Sequence, residues 1–168
     1  MGRVRPEHLG RLFDEHAAAL GLYARQWCDA PEDIVQDAFV KLARQWSCPE
    51  RVVPWLYRVT RNQAIATGRG ARRRRRREAR ATACKPAFAS ADDRIDAKDA
   101  TKLLDELVPE NREVIVARIW GGLTFDEIAR LQGCSLTTAH RRYQAGLARL
   151  HERLERTWAP SNLAPKTN

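Results

Sequence analysis

The chain has 168 residues, an apolar fraction of 43% and a formal net charge of +9. That length allows one or two small domains with hydrophobic cores, and the basic excess favours an anionic partner such as a nucleic acid. No run approaches the ~18 apolar residues that a bilayer span needs, and the amino terminus lacks an apolar signal core. We therefore expect a soluble protein of the cytoplasm with no membrane partner.

The cysteines and histidines, which could form disulfides or bind a metal, are scattered along the chain. The four cysteines form no C-x-x-C pair and have no histidines at ligand spacing: Cys28, Cys48, Cys84 and Cys134. The sequence thus predicts neither a disulfide framework nor a metal site. No Ser/His/Asp or Cys/His arrangement and no glycine-rich phosphate loop is present, so we expect no catalytic residues and no cofactor, and an enzyme is disfavoured.

Helical periodicity dominates and no alternating strand pattern persists, which predicts an all-α fold. The stripe of a first helix consists of Leu9, Leu12, Phe13, His16, Leu20 and Tyr23. A second helix should be capped by Asp29 and have Pro31 in its first turn. Its buried side is predicted to contain Val35, Phe39, Leu42 and Trp46.

A third helix is predicted to begin near Pro54 and to stop at Gly68 and Gly70, before the run Arg72 to Arg77. Residues 61–85 hold ten basic residues and one acid, so the whole net charge is located there. Such a stretch can neutralise phosphates of DNA, although RNA or a membrane surface would attract it equally, and a solvated tract without a fixed partner is the alternative. Its like charges predict disorder in the absence of DNA.

The domain boundaries follow from composition. Residues 8–77 form the first predicted domain, and residues 78–99, rich in Ala, Asp and Lys, form a flexible linker. A second domain of four helices should span residues 100–157, with Leu103, Leu104 and Leu107 in its first helix and Pro109 at the start of its next. Residues 158–168 contain two prolines and are predicted to be a disordered tail.

The stretch 123–150 predicts a helix, a tight turn and a second helix. Thr124 and Glu127 have the spacing of a capping box, Gly133 suits the left-handed turn, and Ser135 can cap the second helix. The buried stripe of that second helix is predicted to be Ala139, Tyr143, Leu147, Leu150 and Leu154, while Gly146 costs it ~1 kcal/mol. Pointing away from the stripe are Thr137, Thr138, His140, Arg141, Arg142 and Gln144. This geometry is that of a major-groove DNA reader; an ordinary helical hairpin with a solvated basic face is the alternative.

The segments DAPEDIVQDAFVKLARQW (residues 29–46) and PWLYRVTRNQAI (residues 54–65) resemble region 2 of bacterial sigma-70 family factors. The segment LDELVPENREVIVARIWGGLTFDEIARLQGCSLTTAHRRYQAGLARL (residues 104–150) resembles region 4. Two such regions in this order, joined by a linker without an intervening domain, resemble the extracytoplasmic-function (ECF) group. The resemblance implies two small helical domains and a subunit that gives RNA polymerase its promoter specificity.

The resemblance also implies a role for individual residues. The second helix would dock on the β′ clamp coiled coil of core RNA polymerase, whose β subunit is a further contact, through Asp33, Gln36, Asp37 and Lys41. The third helix would open and hold the −10 promoter element through Trp55, Tyr57, Arg58, Arg61 and Asn62, followed by Arg72 and Arg73. Aromatic faces can stack on unpaired bases at ~1 to 3 kcal/mol each, although Trp55 can also belong to the core. The second helix of the helix-turn-helix would read the −35 element.

Partners implied in this way are core RNA polymerase, promoter DNA and an anti-sigma factor, and the free protein is expected to be a monomer. A stand-alone helix-turn-helix regulator is the alternative function, for which the acidic second helix would be unnecessary. A protein that binds RNA mainly through its arginine run is a further alternative, but that function would leave the helix-turn-helix unexplained.

Overall fold

The computed structural model describes residue 2, residues 4–78 and residues 103–158; side chains of residues 71–78, 157 and 158 are outside the description. Within these ranges the chain forms six helices of eight residues or more and contains no β-strand, which confirms the predicted all-α fold. None of the described helices combines the length and the hydropathy that a bilayer span requires. The predicted linker (residues 78–99) and the predicted tail (residues 158–168) lie outside the described residues except for their first residues, which end α3 and the last helix, so the domain boundaries remain predictions.

The amino-terminal unit, residues 4–78, is built from three mutually packed helices: α1 (Pro6–Ala24), α2 (Pro31–Arg44) and α3 (Val52–Glu78). Proline at the first helical position starts α1 and α2, because its fixed backbone angle suits that position and its missing N–H is not needed there. Fully buried side chains from all three helices fill the centre: Leu20, Tyr23, Leu42 and Leu56.

Two predictions about α2 are wrong. Ala30, not Asp29, is the residue before the helix, and no side chain caps it. The helix ends at Arg44, so Trp46 falls beyond the last turn and its side chain is 85% exposed. The rest of the predicted buried side, Val35, Phe39 and Leu42, is confirmed.

The predicted break of the third helix is also wrong. α3 continues through Gly68 and Gly70 to Glu78, so the backbone of the arginine run is helical rather than disordered. An interior glycine costs only ~1 kcal/mol, and extending an existing helix avoids the cost of nucleation. Gly68 has a packing role instead, because a Cβ at this position would overlap the carbonyl oxygen of Trp27 after α1.

The carboxy-terminal unit, residues 103–158, contains α4 (Pro109–Ile119), α5 (Phe125–Gln132) and α6 (Leu136–Trp158), preceded by a helical turn at residues 103–105. Its core includes Val114, Ile115, Leu123, Ile128 and Ala139. Along the predicted stripe of α6 Ala139 is buried and the next three members are half-buried, whereas Leu154 is 52% exposed, contrary to the prediction.

Gly146 on α6 has a structural reason. A Cβ added there would lie 2.9 Å from Cγ1 of Ile115, on the facing helix α4. Glycine therefore allows α4 and α6 to approach more closely than any other residue would, which offsets its cost to helix stability. This close packing of α4 against α6 supports the helix-turn-helix on its buried side.

The two units pack against each other. α1 contacts α4 and α3 contacts α5, and the apolar core runs without interruption from one unit into the other. The periodicity of single helices contains no information about such a contact, which was not predicted.

Candidate nucleic-acid interface

The helix-turn-helix is held by local hydrogen bonds at its first helix. The Thr124 backbone N–H donates to Oε2 of Glu127 at 2.8 Å, and the Glu127 N–H donates to Oγ1 of Thr124 at 3.3 Å. Gly133 ends α5 with a φ of 65°, in the left-handed region that favours glycine. The predicted capping box and glycine turn are both confirmed.

The second helix is fixed in the same way. The backbone N–H of Thr138 donates to Oγ of Ser135 at 3.1 Å, which confirms Ser135 as its cap. Ala139 is fully buried where α6 packs against the rest of the carboxy-terminal unit. The direction of α6, and hence of its outer face, is set by these contacts.

The predicted −35 set divides into two groups. Four exposed residues share one face at positions i, i+3, i+4 and i+7, and we refer to them as the outer row: Thr137, His140, Arg141 and Gln144. The other two support the turn. Thr138 places its hydroxyl 2.8 Å from Oγ of Ser135, and Arg142 donates from Nη1 to Oε1 of Gln132 at 2.9 Å.

His140 of the outer row rests on an aromatic cluster. Its ring centroid lies 4.8 Å from that of Phe125, which in turn meets Tyr143 at 5.3 Å in a T-shaped arrangement. Arg118 covers the same Phe125 ring at 4.9 Å from its centroid. The imidazole is thus exposed but restrained, which is useful for a group that has to meet a base edge.

The predicted −10 residues lie on two sides of α3. Arg58 and Asn62 are exposed and Trp55 is half-buried, and their spacing places them on a common face. Trp55 and Asn62 line a groove between α2 and α3 together with Lys41. This groove combines an aromatic face with cationic and amide side chains, a combination that suits unpaired bases and their phosphates.

Tyr57 and Arg61 are in direct contact with the carboxy-terminal unit, whereas Trp55 and Arg58 line an open cleft beside α5. Tyr57 is fully buried, and a Cβ on Gly121 after α4 would lie 2.7 Å from its hydroxyl oxygen. Nε of Arg61 donates to Oε1 of Glu113 on α4 at 2.6 Å. Arg72 and Arg73 are helical in their backbone, but their side chains lie outside the described part of the chain.

Glu113 is the centre of a hydrogen-bond network between the units. Its Oε1 also accepts from the hydroxyl of Tyr23 on α1 at 2.6 Å, and its Oε2 accepts from Nε2 of Gln132 at 3.0 Å. Burial, followed by the charge of Glu113, raises the pKa of Tyr23 well above its usual value. Burial lowers the pKa of the Arg61 guanidinium, but the hydrogen bond and charge of Glu113 outweigh that effect and leave the pKa raised.

The predicted polymerase-binding residues form one exposed face of α2: Asp33, Gln36, Asp37 and Lys41. Asp37 accepts a long hydrogen bond of 3.4 Å at Oδ2 from Nε2 of Gln63 on α3. Val40 belongs to the same face and is 44% exposed, so an apolar side chain lies among the polar ones. An exposed polar face with an apolar centre is suited to a protein partner.

Sequence reasoning missed Val40 and Glu113. Val40 continues the spacing of Asp33, Gln36 and Asp37, and that spacing was the available signal. Glu113 lies beside a run of apolar residues in α4, but an acid in a helix is usually solvated, and its burial depends on the other unit. Among the residues that the structure describes, no three His, Cys, Asp or Glu side chains gather in a way that could hold a metal ion.

The sequence of this chain is similar to sequences of known proteins. Residues 12–78 match the family model described as Sigma-70 region 2, and residues 98–150 match the model described as Sigma-70, region 4. The RNA polymerase sigma factor CarQ of Myxococcus xanthus is 32% identical over 152 residues, which cover 85% of this chain and 87% of CarQ.

Two solved structures are similar over most of their length. One is the sigma factor RpoE from Bartonella quintana in complex with the anti-sigma factor NepR, with 25% identity, a TM-score of 0.69 and coverage of 90% of this chain and 98% of that one. The other is CnrH in complex with the cytosolic domain of CnrY, with 25% identity, a TM-score of 0.57 and coverage of 90% of each chain.

Proposed function

This chain belongs to the ECF group of the sigma-70 family of RNA polymerase sigma factors, and on that premise we propose that it directs core RNA polymerase to specific promoters. It binds core polymerase, places the carboxy-terminal unit on −35 duplex and the amino-terminal unit on −10 DNA, and dissociates after initiation. It catalyses no reaction of its own. The observation that carries the proposal is the outer row, presented by a helix-turn-helix whose cap and turn residues are all in place.

The outer row suits the −35 role because it combines a guanidinium, an imidazole, an amide and a hydroxyl on one exposed helix face. Side chains of these types form the hydrogen bonds that distinguish base pairs in the major groove. Arg142 and Thr138 are engaged at the turn, so their role is to position the helix or to contact phosphate.

The groove between α2 and α3 suits the −10 role. Trp55 offers a stacking surface and Asn62 offers an amide for base edges, while Lys41 and Arg44 line the same groove and can hold the backbone. Arg58 is exposed on the adjoining part of α3. Tyr57 and Arg61 can join this site only when they are free of the carboxy-terminal unit.

The exposed face of α2 suits the polymerase. Asp33 and Asp37 provide negative charge next to Val40, which complements a basic partner surface with an apolar centre. The similar structures in complex with NepR and with CnrY support an anti-sigma factor as a further partner of this protein.

Copurification with core polymerase tests the proposal. Asp37→Arg should abolish or strongly weaken the interaction, because it reverses a charge on the exposed face of α2 next to Val40. The matched control is Asp14→Arg, which makes the same charge change at an exposed position of α1 and should leave binding intact. Undiminished binding by a normally folded Asp37→Arg protein would show that this face is not the docking surface. A protein that binds promoter duplex but never core polymerase would instead be a stand-alone regulator.

A further inference from the structure

Glu113 is a carboxylate whose partners belong to both units. It is 4% exposed, and within the described part of the chain it meets Tyr23 and Arg61 of the amino-terminal unit and Gln132 of its own unit. Separating the units removes both amino-terminal donors at once. Removing one partner of a buried, hydrogen-bonded ion pair is strongly destabilising, because the charge that remains has no compensation in the interior.

The same contact covers residues assigned to DNA. Arg61 is held by Glu113, and Tyr57 is fully buried with its ring against Gly121. In this arrangement Tyr57 cannot reach a DNA strand, and Arg61, whose side chain is 25% exposed, has its Nε engaged by Glu113. We propose that Glu113 is an autoinhibitory latch that closes the carboxy-terminal unit over α3 and withholds Arg61 and Tyr57 from single-stranded DNA in the free protein. The DNA-binding part of this inference rests on the proposed function, whereas the latch itself does not.

A second ion pair joins the units at the edge of the contact. Nη2 of Arg51 lies 2.6 Å from Oε1 of Glu127, the capping-box residue of α5. The Arg51 side chain is 66% exposed whereas that of Glu127 is 9% exposed, so water and salt screen this pair from one side only. Glu113 accepts two hydrogen bonds from the amino-terminal unit and is the larger polar contact between the units.

The closed arrangement also contains a cost that favours opening. The hydroxyl of Tyr57 is buried and has no hydrogen-bond partner in the structure. A buried hydroxyl without a partner destabilises the state that buries it, whereas in an open protein water or DNA can satisfy it. The latch thus opposes a built-in penalty, which lowers the free energy needed to open the protein.

Small-angle X-ray scattering of the free full-length protein tests the latch without reference to its function. Glu113→Gln removes the charge that pairs with Arg61, and Tyr23→Phe removes one hydrogen bond without changing volume. Both should increase the radius of gyration, Glu113→Gln by more. Glu110→Gln is the matched control, because it removes an exposed charge from the same helix and should leave the radius unchanged.

A double variant tests the opposing cost. Glu113→Gln/Tyr57→Phe lacks the unsatisfied hydroxyl and should have a smaller radius of gyration than Glu113→Gln alone. In addition, Glu113→Gln should bind a mixed-sequence DNA single strand more tightly, on the order of 10-fold, because the binding-competent fraction rises.

Unchanged radii for Glu113→Gln and Tyr23→Phe, with native helicity by circular dichroism, would overturn the latch. So would an equal increase in the Glu110→Gln control. If the radius increases but affinity for single-stranded DNA does not, the proposal that closure withholds DNA ligands is overturned. The increase in radius does not depend on core polymerase, so a chain that fails to bind polymerase would refute the proposed function without affecting this result.

Discussion

The outer row of α6 makes a quantitative prediction about −35 recognition. From Thr137 to Gln144 the helix rises about 10 Å, the length of roughly three base pairs at 3.4 Å each. Arg141 lies near the middle of this row, and a bidentate arginine pair with guanine is worth ~1 to 3 kcal/mol of discrimination. Arg141→Ala should therefore weaken binding to the −35 duplex by roughly 5- to 150-fold and relax sequence preference at one position.

Two further variants make the result interpretable. Arg142→Ala should cost less and leave preference unchanged, because Gln132 holds its guanidinium at the turn, which favours a positioning role or a phosphate contact over a base contact. Arg156→Ala is the matched control, since it removes an exposed arginine from the same helix about 22 Å further along. It should change neither affinity nor preference.

The assay is selection of binding sites from a duplex library randomised at the −35 position, at one fixed salt concentration. His140→Ala should alter preference next to the position that Arg141 reads. If both Arg141→Ala and His140→Ala fold normally and leave affinity and preference as in the wild type, the outer row is not the reader and the assignment of α6 is wrong.

Three other predictions concern helix packing, tyrosine ionisation and the arginine run. Gly146→Ala gains ~1 kcal/mol of helix propensity, but its methyl group overpacks against Ile115 at a cost of ~1 to 3 kcal/mol. The free energy of unfolding, measured in urea, should therefore fall by about 1 kcal/mol. A stabilised variant would contradict the close approach of α4 and α6. Burial raises the pKa of Tyr23 and Tyr57 above the usual value of about 10. As pH rises, these phenols therefore lose their protons in the unfolded chain before they do so in the folded protein. The free energy of unfolding should fall above about pH 10. Absorbance at 295 nm together with circular dichroism checks this, and full ionisation of both phenols in a helical protein near pH 10 would refute it. Changing Arg72 to Arg77 to Gln should flatten the dependence of log affinity for promoter duplex on log salt by several units, since each neutralised phosphate contributes about 0.9; an unchanged slope would exclude the run from DNA binding.

Features determined by neighbouring residues could be predicted from the sequence. The capping box of Thr124 and Glu127, the left-handed Gly133 and the cap at Ser135 each depend on a few consecutive residues. The helical stripes are equally local, because one face of a regular helix is buried whatever it packs against. The exposed face of α2 and the outer row followed from these stripes.

Features determined by contacts between distant residues could not be predicted. The sequence favours a helix break at Gly68, because nothing nearby in sequence shows that Trp27 approaches it. The spacing of Trp46 continues the buried stripe and predicts a core position, although the helix has already ended at Arg44. Tyr57 is buried and Arg61 is bonded to Glu113, whereas Arg58 and Asn62 are exposed. This difference depends on contacts with the other unit, which the periodicity of a single helix does not encode.

Transcription in vitro tests the central claim most directly. Core RNA polymerase, with and without this protein, is supplied with a genomic DNA library, and the 5′ ends of the transcripts are mapped. The account predicts transcripts that start at a limited set of shared upstream sequences only when the protein is added, and their loss with Asp37→Arg but not with Asp14→Arg. Identical transcripts with and without the protein would contradict its role as a promoter-specificity subunit.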